Sequence, residues 1–245
     1  VATGGSEPHL VDLQVAALDH IAQHPKCDDV TPRVIRNHTG DYSCELETAT
    51  GTRPVWITTW IEGQLFAQLP HVDENHCHLL GATLGQITLA LNNFSHQNAK
   101  RQLKWDLCQA SWIERDMEAI EDTQLRHLVT DAYTDFERIE TSLAKVRQGV
   151  IHNDANDYNL LVTATNKARH MRVIDFGDMC HSVIVGDVAI AAAYAGMHLS
   201  DPLQAIDSVV AGFHNCMELS DQELALVMPL IRMRLAVSVT NASIQ

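Results

Sequence analysis

The chain reads as an α+β protein, with a small β-rich front part followed by a large, mainly helical rear part. Three observations carry that expectation. Residues 1–62 place one amphipathic helical pattern ahead of short β-rich runs separated by turn residues. Residues 63–245 are dominated by apolar positions with helical spacing. An apolar run ending in His152-x-Asp154, a reversal at Thr163 to His170 and a second apolar strand delivering Asp175-Phe176-Gly177 interrupt the helices as a hairpin. A length of 245 residues is enough to bury a substantial core in one domain or two lobes.

The elements follow in order. Leu10 to Ala22 lines up Leu10, Val11, Leu13, Ala17, Leu18 and Ile21 on one helical face, and Pro25 lies just beyond its end. The runs Val34 to Arg36, Ser43 to Thr48 and Pro54 to Trp60 read as strands, with turns at Thr39-Gly40-Asp41 and Thr50-Gly51-Thr52. Glu62-Gly63 breaks the pattern, which puts the passage between the two parts at Thr59 to Gly63. Asp73 to Phe94 predicts a helix with Leu79, Leu80, Leu84, Ile87 and Leu91 inside, and Leu103 to Ile120 and Thr123 to Val146 predict two more. Val185 to Leu199 is small and apolar almost all round, so a buried helix is expected. Asp201-Pro202 opens the next one, and Ser220 to Glu223 is a capping-box pattern ahead of Leu224 to Val239.

Charge and composition exclude several classes. Seventeen Lys and Arg against 31 Asp and Glu give a formal charge of −14, which argues against nucleic acid and suits a cationic small-molecule substrate. Six scattered cysteines without Cys-x-x-Cys predict reduced thiols in a cytoplasmic protein. No apolar run reaches the ~18 residues of a membrane span, and no signal peptide is visible. His76-Cys77-His78 is consecutive, so its side chains cannot converge on one ion, and a surface helix is expected there. Ser111 and Ser182 lack a Gly-x-Ser-x-Gly elbow. The chain opens at Val1 without Met and stops at Gln245 within a helical pattern, so a longer polypeptide with fused domains is expected.

The chemistry sits in His152-x-Asp154-x4-Asn159 and Asp175-Phe176-Gly177-Asp178. Phosphoryl transfer from a nucleotide needs a carboxylate to receive the acceptor's hydroxyl proton. It also needs a carboxamide and a second carboxylate to hold Mg²⁺ against the phosphates. Asp154 is the candidate base, and Asn159 and Asp175 are the candidate metal ligands. His152 is expected in the catalytic loop, more to hold it than to move protons. Asp157 and Asp178 are candidates to meet the substrate.

These motifs resemble the aminoglycoside phosphotransferase and choline kinase superfamily, which has a protein-kinase-like fold. The run His152 to Asn159, Asp175 to Met179, Gly186-Asp187-Val188-Ala189-Ile190 and Leu103-Lys104-Trp105-Asp106-Leu107 resemble its hydroxylysine kinase-like branch. The resemblance implies a partial small lobe over 1–62 and a helical lobe over 63–245. It implies transfer of the γ-phosphate of ATP or GTP to a hydroxyl of an amino-alcohol or hydroxy-amino acid. It implies that Asp187 braces the catalytic loop, and that Thr59, Trp60 and Ile61 meet the nucleotide base. The small lobe departs from the family in lacking a Gly-rich phosphate loop and its strand Lys. Val1-Ala2-Thr3-Gly4-Gly5 leads straight into the first helix, the Lys would sit just before Val1, and Gln14 stands where many relatives carry Glu. This piece alone is therefore expected to bind nucleotide poorly. The alternative is a non-catalytic kinase-like domain that binds a ligand or partner in a larger protein.

Overall fold

Helix α1 (Pro8–Ala22) buries Leu13, Ala17, Leu18 and Ile21, the face its spacing predicts. A computed structural model describes residues 8–27, 29–49, 51–164 and 169–244. The segment Val1 to Gly5 lies outside them. After α1, β1 (Val34–Ile35) pairs antiparallel with β4 (Ile57–Thr58), and β2 (Cys44–Thr48) pairs with β3 (Gly51–Val55). The front part therefore holds two separate two-stranded ladders. Pro54 has no N–H to extend a ladder, and Trp56 separates β3 from β4.

The connection at 59–63 has no regular structure, and β5 (Gln64–Leu65) follows it. Helix α2 (Glu74–Leu91) starts at Asp73, whose side chain accepts the His76 N–H while the His76 ring accepts the Asp73 N–H. This corrects the surface reading of His76-Cys77-His78: His76 and Cys77 are buried in the first turn, and only His78 is exposed. Among the described residues, no three His, Cys, Asp or Glu side chains are placed to hold a metal ion.

Leu103 to Ile120 is a second correction. In place of one helix stand 3₁₀ turns at Leu107–Trp112 and Met117–Ala119, on either side of the single turn α3 (Ile113–Asp116). The buried Asp106 carboxylate accepts from the Cys108 N–H, the Gln109 side chain and the Ser182 hydroxyl. Such local bonds favour a tight turn over a helical start. Helix α4 (Thr123–Leu143) then forms with Asp122 as its cap.

The catalytic segment is built from two ladders. Strand β6 (Gln148–Ile151) pairs antiparallel with β9 (Cys180–Val183). Strand β7 (Leu160–Ala164) is the centre of a second ladder, flanked by β5 and by β8 (Arg169–Val173). The strand leading to His152 thus pairs beyond the Asp-Phe-Gly turn, and only β7 and β8 make the hairpin. Within the expected reversal at Thr163 to His170, residues 165–168 lie outside the described ones.

Helix α5 (Ile184–Ala195) is buried almost throughout and is flanked by α6 (Pro202–Cys216) and α7 (Asp221–Ser243). Helices α2 and α6 cross at Gly81 and Gly212. A Cβ on Gly81 would lie 1.9 Å from the Val209 carbonyl oxygen, and one on Gly212 would lie 2.1 Å from that of His78. Only glycine permits so close a backbone approach. Among the described residues, no helix is long and apolar enough to cross a membrane.

Candidate active site

The loop from His152 to Asn159 is held from below by Asp187. That residue lies in the first turn of α5, is 1% exposed, and accepts the backbone N–H groups of His152 at 3.2 Å and Asn153 at 2.9 Å. Burial holds its carboxyl above the usual carboxylate range, and the bonds from Asn153 and His152 offset only part of that rise. Asn153 has φ 66°, a left-handed conformation that Asn adopts more readily than most residues.

His152 is fully buried and ties this loop to the Asp-Phe-Gly turn. Its Nδ1 accepts the Asp154 N–H at 3.2 Å, which leaves Nε2 to donate to the Ile174 carbonyl at 3.1 Å. Phe176 packs edge-on against the ring at 4.7 Å. With both ring nitrogens bonded to backbone, the imidazole holds the loop's shape.

Asp154 points away from that scaffold, with its side chain 20% exposed. Its Oδ2 accepts from Asn159 Nδ2 at 2.8 Å and Asn156 Nδ2 at 3.0 Å. Its Oδ1 accepts from Arg234 Nη2 at 3.1 Å. Asn159 also donates to the Asp154 carbonyl at 2.9 Å, so its amide nitrogen is fixed toward Asp154 and its Oδ1 is turned away.

Asp175 is exposed, has φ 61°, and accepts the Gly177 N–H at 3.1 Å. The Ile174 N–H donates to the Asn159 carbonyl at 2.9 Å, which sets the backbones of the two proposed metal ligands side by side. A carboxamide oxygen and an exposed carboxylate are the hard oxygen donors that Mg²⁺ prefers. Burial pushes Asp178 up, the charges of Asp154 and Asp175 push it further, and Arg101 and Arg234 oppose them. Asp157 lies elsewhere: it is buried and bonded to His198 Nε2 at 2.8 Å.

Two adjoining cavities open between the parts. One of about 610 Å³ is lined by Gln14, Val55, Thr59, Trp60, Asp175 and Phe176. The other, about 730 Å³, is lined by Thr59, Trp60, Ile61, Gln64, Leu161 and Asp175. The three connection residues named from the sequence therefore share a cleft with Asp175. Thr59 is tied to Arg33 through its N–H and its hydroxyl, and Trp60 is 85% exposed.

Sequence reading missed two arginines. Arg101 donates to the Gly177 carbonyl at 2.9 Å and anchors the Asp-Phe-Gly turn. Arg234 reaches Asp154 from α7 while only 3% exposed. A signal for it exists: Val227, Leu230, Ile231, Arg234 and Val237 form one buried helical stripe, with a charge inside it.

A two-part, protein-kinase-like fold with an acid–amide–acid set beside an interlobe cleft defines a class of protein, and comparison supports that class. The model of the phosphotransferase enzyme family matches residues 3–218, so the chain belongs to that family. It is 24% identical over 252 residues to hydroxylysine kinase of Mus musculus, covering 96% of this chain and 66% of that protein. It is 28% identical over 162 residues to the Xenopus laevis hydroxylysine kinase, covering 61% of this chain and 43% of that protein. The chain thus spans two thirds or less of these curated relatives. A microcompartment-associated aminopropanol kinase superposes with TM-score 0.69 at 20% identity, covering 99% of this chain and 82% of that one. An amicoumacin kinase solved with AMP-PNP and Ca²⁺ superposes with TM-score 0.71 at 13% identity, covering 97% and 71%.

Proposed function

We propose that the full-length protein is a small-molecule kinase that moves the γ-phosphate of ATP or GTP to a hydroxyl of an amino-alcohol or hydroxy-amino acid. The observation that carries the reading is the bonding of Asn159 to Asp154 beside the backbone of Asp175. Asp154 orients the acceptor hydroxyl and takes its proton late in a loose transition state. Asn159 Oδ1 and the Asp175 carboxylate hold Mg²⁺, which when bound neutralises charge on the transferring phosphate. Trp60 and Ile61 meet the base of the nucleotide in the cleft beside Asp175. Asp178, the second acid of the Asp-Phe-Gly-Asp motif, is the candidate to meet an acceptor ammonium. Asp157, bonded to His198, shapes the loop from behind. Six unpaired cysteines support a cytoplasmic setting.

A second reading is a kinase-like domain that binds ligand without turnover. Gln14 favours it, because a neutral amide lines the cavity where an acid would be needed to neutralise a phosphate-binding Lys.

The test is release of nucleoside diphosphate by the full-length protein, with ATP and GTP, against a panel of amino-alcohols and hydroxy-amino acids. Acceptor-dependent release is expected. Nucleotide or acceptor binding without any release would favour the second reading.

A further inference from the structure

We infer that Arg234 recognises the acceptor by binding a carboxylate on it, an inference that rests on the phosphotransfer reading above. The guanidinium is buried at 3% exposure and donates through Nη2 alone, to Asp154 Oδ1 at 3.1 Å and the Tyr194 hydroxyl at 3.3 Å. Its Nε and Nη1 find no partner among the described residues. Each unmade bond of a buried donor costs stability, so a merely structural arginine would be replaced at a gain by an apolar side chain of similar size. The arrangement makes sense where a ligand supplies the missing acceptor.

The geometry points to an anion. Both N–H groups of Nη2 are taken by Asp154 and Tyr194, so Nη1 is the charged donor left for a carboxylate oxygen. Arg234 Cζ lies 5.1 Å from the Trp105 ring centroid and 5.5 Å from that of Tyr194, so two aromatic rings set its plane. Lys104 Nζ lies 4.9 Å from the same Trp105 centroid and bonds to Asn241. The Trp105 side of Asp154 is therefore cationic, although the whole chain carries −14. The half-buried Trp105 ring lies over this guanidinium. The acceptor that fits bears a carboxylate as well as a hydroxyl, as a hydroxy-amino acid does and a plain amino-alcohol does not.

The experiment compares matched acceptors on the full-length protein: 5-hydroxylysine and its decarboxylated counterpart, 1,5-diaminopentan-2-ol. Arg234→Met should raise KM, and weaken calorimetric binding, for the carboxylate-bearing acceptor by roughly 10- to 100-fold. Because Arg234 also holds Asp154, kcat should fall by a similar factor on both acceptors, whereas KM and calorimetric binding of the decarboxylated acceptor should change by no more than about threefold. Arg234→Lys keeps the charge without the guanidinium and should fall between the two. A melting curve on both variants checks that they fold, and the Lys variant serves if the Met variant does not. An equal loss of binding on both acceptors would make Arg234 a positioning residue for Asp154 and overturn the inference, as would unchanged binding of hydroxylysine. No turnover by wild type with any acceptor in the wider panel would instead defeat the phosphotransfer reading itself.

Discussion

Asn159 donates its amide to the Asp154 carboxylate at 2.8 Å, so one proposed metal ligand fixes the orientation of the proposed base. Asp154 is also gripped from the opposite side by Arg234. The carboxylate therefore has neighbours on both oxygens, and each substitution around it acts on more than one function.

Asp154→Asn in the full-length enzyme should lower kcat by on the order of 10²-fold or more, the scale of general-base and positioning effects. Asn retains an oxygen for Arg234 but not the charge, so a stability loss of about 1 kcal/mol accompanies it. Steady-state kinetics and thermal melting on one preparation check both. Normal turnover would remove Asp154 from the chemistry.

Asp187→Ala should behave in the reverse order. Its loss orphans the buried N–H groups of His152 and Asn153, costing about 1–3 kcal/mol in denaturant unfolding. Activity falls because the loop relaxes. A variant that unfolds like wild type but is inactive would place Asp187 in direct contact with the reaction.

Asp175→Asn should raise the Mg²⁺ concentration for half-maximal rate by about tenfold or more, since an amide offers a hard cation less charge. The readout is a Mg²⁺ titration at saturating nucleotide, and an unchanged midpoint would take Asp175 off the metal.

Asp73 gives a pH-dependent stability. Burial would raise its carboxyl, but the bonds from Arg169 and the His76 N–H outweigh burial and hold it at about 2. A depressed carboxyl stabilises fully above its unfolded pKa, near 4, and that contribution fades as pH falls through about 2. With its side chain 29% exposed, the effect is on the order of 1 kcal/mol after screening. Asp73→Asn keeps the helix cap, so its stability should change less than that of wild type between pH 4 and 2. Parallel curves for the two proteins over that range would refute this.

Much of the fold is local and so was legible. The α1 and α5 faces, the Asp201-Pro202 start and the Ser220–Glu223 capping box each depend on neighbours within one or two turns. The errors share one origin, contacts distant in sequence. Ser182 closes the network that bends Leu107–Trp112 into 3₁₀ turns, and β9 claims β6 as its partner. At the site, the motif spacing singled out Asp154, Asn159 and Asp175 as candidates, and the family resemblance added Asp187. It could not show Arg234, 80 residues from Asp154, nor that Asp157 is bonded to His198.

The two residues of β5 join the interlobe connection to the catalytic hairpin, because Gln64 and Leu65 pair with Val162 and Leu161 on β7. The strand that receives β5 begins one residue after Asn159. A second tie runs from the Val173 N–H to the Val30 carbonyl at 2.9 Å, two residues before Asp175. Each proposed metal ligand thus follows or precedes a strand that is stitched to the chain ahead of the helical core.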